Sequence, residues 1–179
     1  MAENLNVGTR INSIENQTNN GIIEKYCYKD SIENCDIYGG LYELNETMQY
    51  ITTPGAKGIC PSGWHVPTDN EWTILTTYLE GDNIAGGKMK STGTLVAGTG
   101  LWKYPNTDAT NESGFTALPA GRRHPGGVFV ARTLQCDWWS SFEYSASQAW
   151  DRNLNYNLSI VIKYGYVKDY ACAVRCIKD

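Results

Sequence analysis

From Asn155 to Tyr170 the chain reads NYNLSIVIKYGYVKDY, with Leu158, Ile160, Ile162, Tyr164 and Tyr166 on one phase of a period-two pattern and Ser159, Val161, Lys163 and Gly165 on the other. In a strand each phase faces one side. Either the even phase is core, or it displays a row of apolar and aromatic side chains. Short strand patterns also occur at WWSSFEY, SQAWDRNL and ACAVRCI, separated by polar breaks, which predicts an antiparallel sheet in the C-terminal half. The period changes upstream. In TDNEWTILTTYLEG, Thr68 and Glu71 form a capping box, Trp72, Leu75 and Leu79 share a helical face, and Gly81 supplies the stop.

A second, shorter helix is expected in NIAGGKMKST, with Ile84 and Met89 inward and Gly86-Gly87 weakening it. DIYGGLYEL reads as a strand bent at Gly39-Gly40, and NETMQYI as a short helix capped by Asn45. Leu95 to Ser113 is rich in Gly, Thr, Asn and Asp around Trp102 and reads as a long loop. After it, GFTALPAGRRHPGGVFVAR gives two strands about a turn at His124-Pro125-Gly126-Gly127. Helices upstream and strands downstream make an α+β order.

At 179 residues, 41% hydrophobic and 19% charged, the chain suits one domain, 1–179, with a real core. Its net charge of -4, with no basic cluster longer than Arg122-Arg123, leaves no footprint for nucleic acid. No apolar run approaches the roughly 20 residues of a membrane span. Six cysteines at 27, 35, 60, 136, 172 and 176 fit an exported protein with disulfides, and six cysteines allow about 15 pairings. There is no C-x2-C pair, and the two histidines, His65 and His124, are not paired with cysteines at a zinc-site spacing, so neither a metal nor another cofactor is expected. His65 has no orienting acid or nucleophile beside it and reads as structural. Trp64 and Trp72 read as core, and Arg122-Arg123 as a solvated turn flank.

The segments AENLNVGT, CPSGWHVPTDNEW, GGKMKSTG, NESGFTALPAGRR, WWSSFEYSASQAW and AVRCIKD, in that order, resemble the Fibrobacter succinogenes major paralogous domain family of bacterial envelope proteins. The resemblance implies that Met1 is an internal or engineered start within a longer precursor, and that the domain works at the cell envelope or outside the cell. That family in turn resembles the C-type lectin fold through its formylglycine-generating branch. The implied fold has two helices, a twisted antiparallel sheet with long loops, and paired N- and C-terminal strands. It also implies disulfides Cys27–Cys35 and Cys60–Cys176. Cys136 and Cys172 depart from the pattern, and a third disulfide, free thiols or incidental variation all remain open.

The C-terminal half is also similar to the variable proteins of diversity-generating retroelements, which display mutagenised residues on a lectin-like frame. Trp138, Trp139, Ser140, Ser141, Trp150, Arg152, Val161, Lys163 and Arg175 look like framework. The assorted positions between them make a candidate ligand surface of Arg132, Gln135, Asp137, Tyr144, Gln148, Asp151, Asn153, Tyr156, Leu158, Ile160, Ile162, Tyr164, Tyr166 and Tyr170. Most are expected to share one solvent-facing surface, where tyrosines offer rigid contact area. This favours a non-enzymatic binding domain, its partner a protein or glycan on another cell, phage or host surface. The Glu-Pro-Asn and Trp-Asn-Asp motifs of calcium-binding lectins are absent. Two alternatives stand: a copper oxidase of the formylglycine-generating kind using Cys172 and Cys176, and an envelope structural domain with one fixed partner.

Overall fold

The computed structural model describes residues 1–179. Its elements follow the chain as β1 (Thr9–Arg10), β2 (Glu24–Lys25), α1 (Ile32–Tyr38), β3 (Tyr42–Glu43), α2 (Leu44–Thr47), β4 (Trp64–His65), α3 (Asp69–Tyr78) and α4 (Asp82–Met89). Then come β5 (Arg122–Arg123), β6 (Phe129–Val130), β7 (Gln135–Glu143), β8 (Gln148–Asn155), β9 (Ile162–Val167), β10 (Ala171–Cys172) and β11 (Ile177–Lys178). The class is α+β. The main sheet is the antiparallel meander β7-β8-β9, beside a four-stranded sheet of order β3-β10-β5-β6 and the two-stranded pairs β1-β2 and β4-β11.

The meander is covered on both faces, and two adjacent residues show how. Trp138 belongs to a core with Trp72, Leu79, Met89, Trp102, Leu154 and Val161, whereas Trp139 belongs to a second core with Tyr42, Leu44, Val66, Ala149, Cys172 and Val174. Alternation along β7 sends the two indoles to opposite sides. Each indole N–H is satisfied, Trp138 Nε1 donating to Asn4 Oδ1 at 2.8 Å and Trp139 Nε1 to the Tyr42 carbonyl at 2.8 Å.

The helix α3 begins as its capping box predicts: the Thr68 hydroxyl accepts from the Glu71 amide at 3.3 Å, and Glu71 Oε2 accepts from the Thr68 amide at 2.8 Å. Glu71 also meets His65 Nε2 at 2.9 Å, while His65 Nδ1 meets Asp179 at 2.7 Å. Two acids therefore flank His65 where the sequence suggested none, and the ring ties the start of α3 to Asp179. In α4 the two glycines have a purpose the sequence concealed. A β-carbon at Gly86 would lie 2.6 Å from the Ser159 carbonyl oxygen, and one at Gly87 the same distance from that of Asp108. The helix thus tolerates poor helix formers so that the segment before β9, at Gly86, and the long loop, at Gly87, can lie against its backbone.

Lys90 follows this helix, fully buried, its Nζ donating to the carbonyls of Thr107 at 2.8 Å, Asn155 at 3.1 Å and Leu158 at 2.8 Å. The long loop is real, and its anchor is Trp102, buried, with Nε1 donating to the Ala117 carbonyl at 2.9 Å.

Several local expectations are corrected. Asp36 to Tyr38 end α1, with Gly39 at positive φ as its C-cap, so the strand begins only at Tyr42. The short helix α2 starts two residues earlier, with Glu43 rather than Asn45 at its N-cap position. Four helices are present, two of them short. The chain ends meet without forming a strand pair: the Leu5 amide donates to the Val174 carbonyl at 2.8 Å, while β1 pairs with β2 and β11 with β4. Disulfides join Cys27 to Cys35 and Cys60 to Cys176, and Cys136 and Cys172 are free and buried.

Candidate functional site

Strand register sets one face of the meander. Gln135, Asp137 and Trp139 on β7 lie opposite Asn155, Asn153 and Asp151 on β8. Asn153, Asp151 and Ala149 in turn lie opposite Ile162, Tyr164 and Tyr166 on β9. Half of this face is covered by the second core. The other half is open, a depression of roughly 270 Å³ lined by Arg122, Gln135, Asn153, Asn155, Ile162, Tyr164 and Tyr166. Its β9 wall is apolar and aromatic, its floor is three amides, and Arg122 closes the side toward β5.

Beneath that floor lies a buried polar cluster. Arg122 Nη1 is 3.2 Å from Asp137 Oδ2, and Asn153 Nδ2 donates to Asp137 Oδ1 at 2.7 Å. Asp151, also without exposed surface, has no hydrogen-bond donor on either oxygen. Burial and the nearby Asp137 charge push Asp151 well above the ordinary carboxylate range, and burial raises Asp137 against the pull of Arg122. Both directions favour a protonated carboxyl in this cluster, and a proton on Asp151 is the group that would answer its missing donor. Cys172 lies among the same groups, and its thiol is pushed far up by burial and then by the two aspartates.

Above the cluster the aromatic rings form a row. Tyr164 and Tyr166 stack at 6.1 Å between centroids, Tyr166 and Tyr170 at 5.0 Å, and Tyr170 meets the His124 ring at 4.8 Å. The Arg122 guanidinium lies 5.2 Å over Tyr166. Burial and then the Arg122 charge lower the His124 pKa, so its ring is neutral near pH 7.

Of the fourteen candidate positions, Gln135, Asn153, Ile162, Tyr164 and Tyr166 line the depression, and Tyr170 extends its aromatic row. Three are corrected: Asp137 and Asp151 are buried beneath the floor rather than displayed, with Arg122 of β5 bonded to Asp137, and Asn153, also buried as a residue, reaches the depression only at its lining. The others lie elsewhere. The Tyr144 ring packs at 4.5 Å on Trp150 and over Gly165, on the opposite face, and Gln148 Nε2 donates to the Gly165 carbonyl at 3.2 Å. Arg132 lies over the Tyr28 and Tyr38 rings and bonds Asn34, far along the chain near α1. Tyr156 packs against the first core with Lys103 over its ring, and Leu158 and Ile160 precede β9 in a turn beside α4. The even phase of the segment is thus strand only from Ile162, and Val161 on the other phase is buried.

Two lining residues escaped the sequence. Asn155 was within reach of it, since it continues the alternation from Asp151 and Asn153. Arg122 read as a turn flank; nothing local marks it, because its partner Asp137 is brought in by the sheet. The copper alternative loses its ligand pair, since Cys176 is bonded to Cys60 and Cys172 stands alone.

The model of the Fibrobacter succinogenes major domain matches residues 1–178. The chain belongs to that family. No curated protein and no solved structure matches it. For this Fibrobacter succinogenes major domain, the two disulfides fit folding in an oxidising compartment, and no helix is long and apolar enough to cross a membrane.

Proposed function

We propose that this domain is a non-enzymatic binding module of the cell envelope or extracellular space, with a C-type lectin-like frame, whose ligand sits in the depression on the β7-β8-β9 face. The observation that carries it is the open half-face itself: three amides and an apolar aromatic wall stand over a fixed Arg122–Asp137–Asn153 chain. Exposed aromatic surface beside oriented polar groups is the usual chemistry of recognition. The partner is a protein or glycan on another cell, phage or host surface. The direct test is binding of labelled domain to candidate cells, with Tyr164→Ala and Asn155→Ala compared with the unchanged chain. Binding that both substitutions weaken supports the reading, and binding indifferent to both removes it.

Retroelement diversification belongs to the same reading. Asn155, Ile162, Tyr164, Tyr166 and Tyr170 are each either asparagine or one adenine replacement away from an asparagine codon, as template mutagenesis requires. Sequencing this locus and its flanks in sibling isolates decides it. Substitutions gathered at those five codons, with Asp137 and Asp151 constant and a reverse transcriptase gene nearby, are expected. Uniform identity across residues 130–176 leaves an undiversified domain with one fixed partner.

A further inference from the structure

We infer that the depression takes a neutral, hydroxyl-rich saccharide unit, bound without a metal ion. This rests on the binding reading above and narrows it to one ligand class.

Charge excludes the acidic and basic classes first. Arg122 is the only charged residue lining the depression, and its guanidinium is already matched to Asp137. Asp151 has no exposed surface and does not line the depression. Lys163, the nearest cation on β9, projects to the other face, where it lies 4.0 Å from the Trp150 ring and 2.9 Å from Asp69. An anionic or cationic ligand would therefore lose its hydration without gaining a free counter-charge.

Hydrogen-bond chemistry then selects the hydroxyl. Gln135, Asn153 and Asn155 each carry one accepting and one donating group on the same side chain. A sugar hydroxyl both donates and accepts, so adjacent hydroxyls find complementary pairs on an amide floor. Asn153 is held ready: its Nδ2 is committed to Asp137, which leaves its carbonyl oxygen for a ligand. A protein partner, by contrast, is anchored by dry apolar contacts at the centre of its interface, and the centre here is polar.

The β9 wall supplies the remaining contact. Ile162, Tyr164 and Tyr166 offer apolar surface at the edge of the amides, matching the C–H face that a pyranose presents beside its hydroxyl edge. At roughly 270 Å³ the space is below the ~300–1,000 Å³ of drug-sized pockets, which suits one sugar unit of a longer chain. No cluster of three acidic, histidine or cysteine side chains is present to hold a cation, and the floor needs none.

The test is retention of the full chain on immobilised neutral oligosaccharides and on their uronic-acid counterparts, with and without EDTA, alongside binding to cells treated with periodate or protease. Expected are retention on a neutral glycan that EDTA leaves unchanged, roughly tenfold weaker retention for Tyr164→Ala and Asn155→Ala, and no change for Tyr144→Ala on the opposite face. Periodate, which cleaves vicinal diols, should abolish cell binding. Retention only on acidic glycans, or loss in EDTA, overturns the inference. Cell binding that Tyr164→Ala weakens but that protease rather than periodate removes overturns the saccharide and leaves the binding reading intact. Cell binding insensitive to both Tyr164→Ala and Asn155→Ala ends both.

Discussion

Asp137 and Asp151 lie diagonally across neighbouring strands on one face of the sheet, and only Asp137 has protein donors, Arg122 and Asn153. Burial favours the protonated form of both carboxyls. Their raised pKa values mean that the stability this contributes is fully present below the ordinary aspartate value of about 3.9 and is lost as pH rises through the folded values. Two other groups act in the same direction. Burial, against the Tyr26 hydrogen bond and the Arg123 charge, raises Glu43 from 4.5 to about 7. Partial burial opposes protonation of His65, but the hydrogen bonds and charges of Asp179 and Glu71 outweigh it and raise its pKa above 6.5. Melting temperature should therefore fall from pH 5.5 to pH 8. Asp151→Asn, which gives Asp137 an amide donor without a proton, should melt higher than the unchanged chain at pH 8 and show a flatter profile. A variant less stable at pH 8 would mean that an ionised carboxyl is not disfavoured at Asp151.

The two free thiols allow a chemical check. Cys136 and Cys172 are both without exposed surface, and burial raises the pKa of each. The thiolate is the reactive form. A maleimide at pH 7.5 should label neither in the folded protein and both after denaturation. Rapid labelling of Cys172 under native conditions would show that the layer beneath the aromatic row opens.

The disulfides should differ in weight. Cys60–Cys176 closes a separation of 116 residues and Cys27–Cys35 one of 8. The chain-entropy model assigns about 5 kcal/mol to the first and about 2.5 kcal/mol to the second. Chemical denaturation of the paired Ser variants should rank them in that order; the reverse order would show that local geometry, not chain closure, sets their contribution.

Much of the fold was written in local pattern, and what was not has a physical reason. The capping box of Thr68 and Glu71 needs only three residues' spacing, and the meander needs only period two, so both are visible in the chain. The burial of Asp137 and Asp151 is not, because alternation gives the face a residue shares but not what covers that face. The same holds for Arg122, an ordinary turn flank until the sheet brings Asp137 under it. Gly39-Gly40 misled in the other direction: the pair suits a bent strand, yet the disulfide at Cys35 sits within a helical turn that ends there.

The glycine in α4 gives a mutational test of how the site's back wall is held. Gly86→Ala improves helix propensity by up to about 1 kcal/mol, but its β-carbon would meet the Ser159 and Ile160 carbonyl oxygens at 2.6 and 2.7 Å. Backbone cannot yield as a flexible side chain would, so a net loss of about 2 kcal/mol is expected. Hydrogen exchange should rise at Val161, whose amide donates to the Asp82 carbonyl at 2.8 Å. A stabilised variant would mean that the segment before β9 is free to move off the helix.

Lys90 carries the same junction from the inside. Its ammonium has no carboxylate partner, and burial lowers its pKa to about 8. Three carbonyls satisfy it, and they come from the long loop, from the end of β8 and from the turn before β9. Replacing Lys90 with Met keeps the volume but leaves those carbonyls without a donor, each already turned away from water. Charge-assisted hydrogen bonds contribute about 1.5–3 kcal/mol each, offset here by the cost of burying the charge. A net loss of about 3 kcal/mol in urea unfolding is expected for Lys90→Met, with Asn155 and Ile162 displaced enough to weaken ligand binding. A variant that unfolds at the same urea concentration would mean that water replaces the ammonium at no cost, and that the junction is held by Gly86 and Val161 alone.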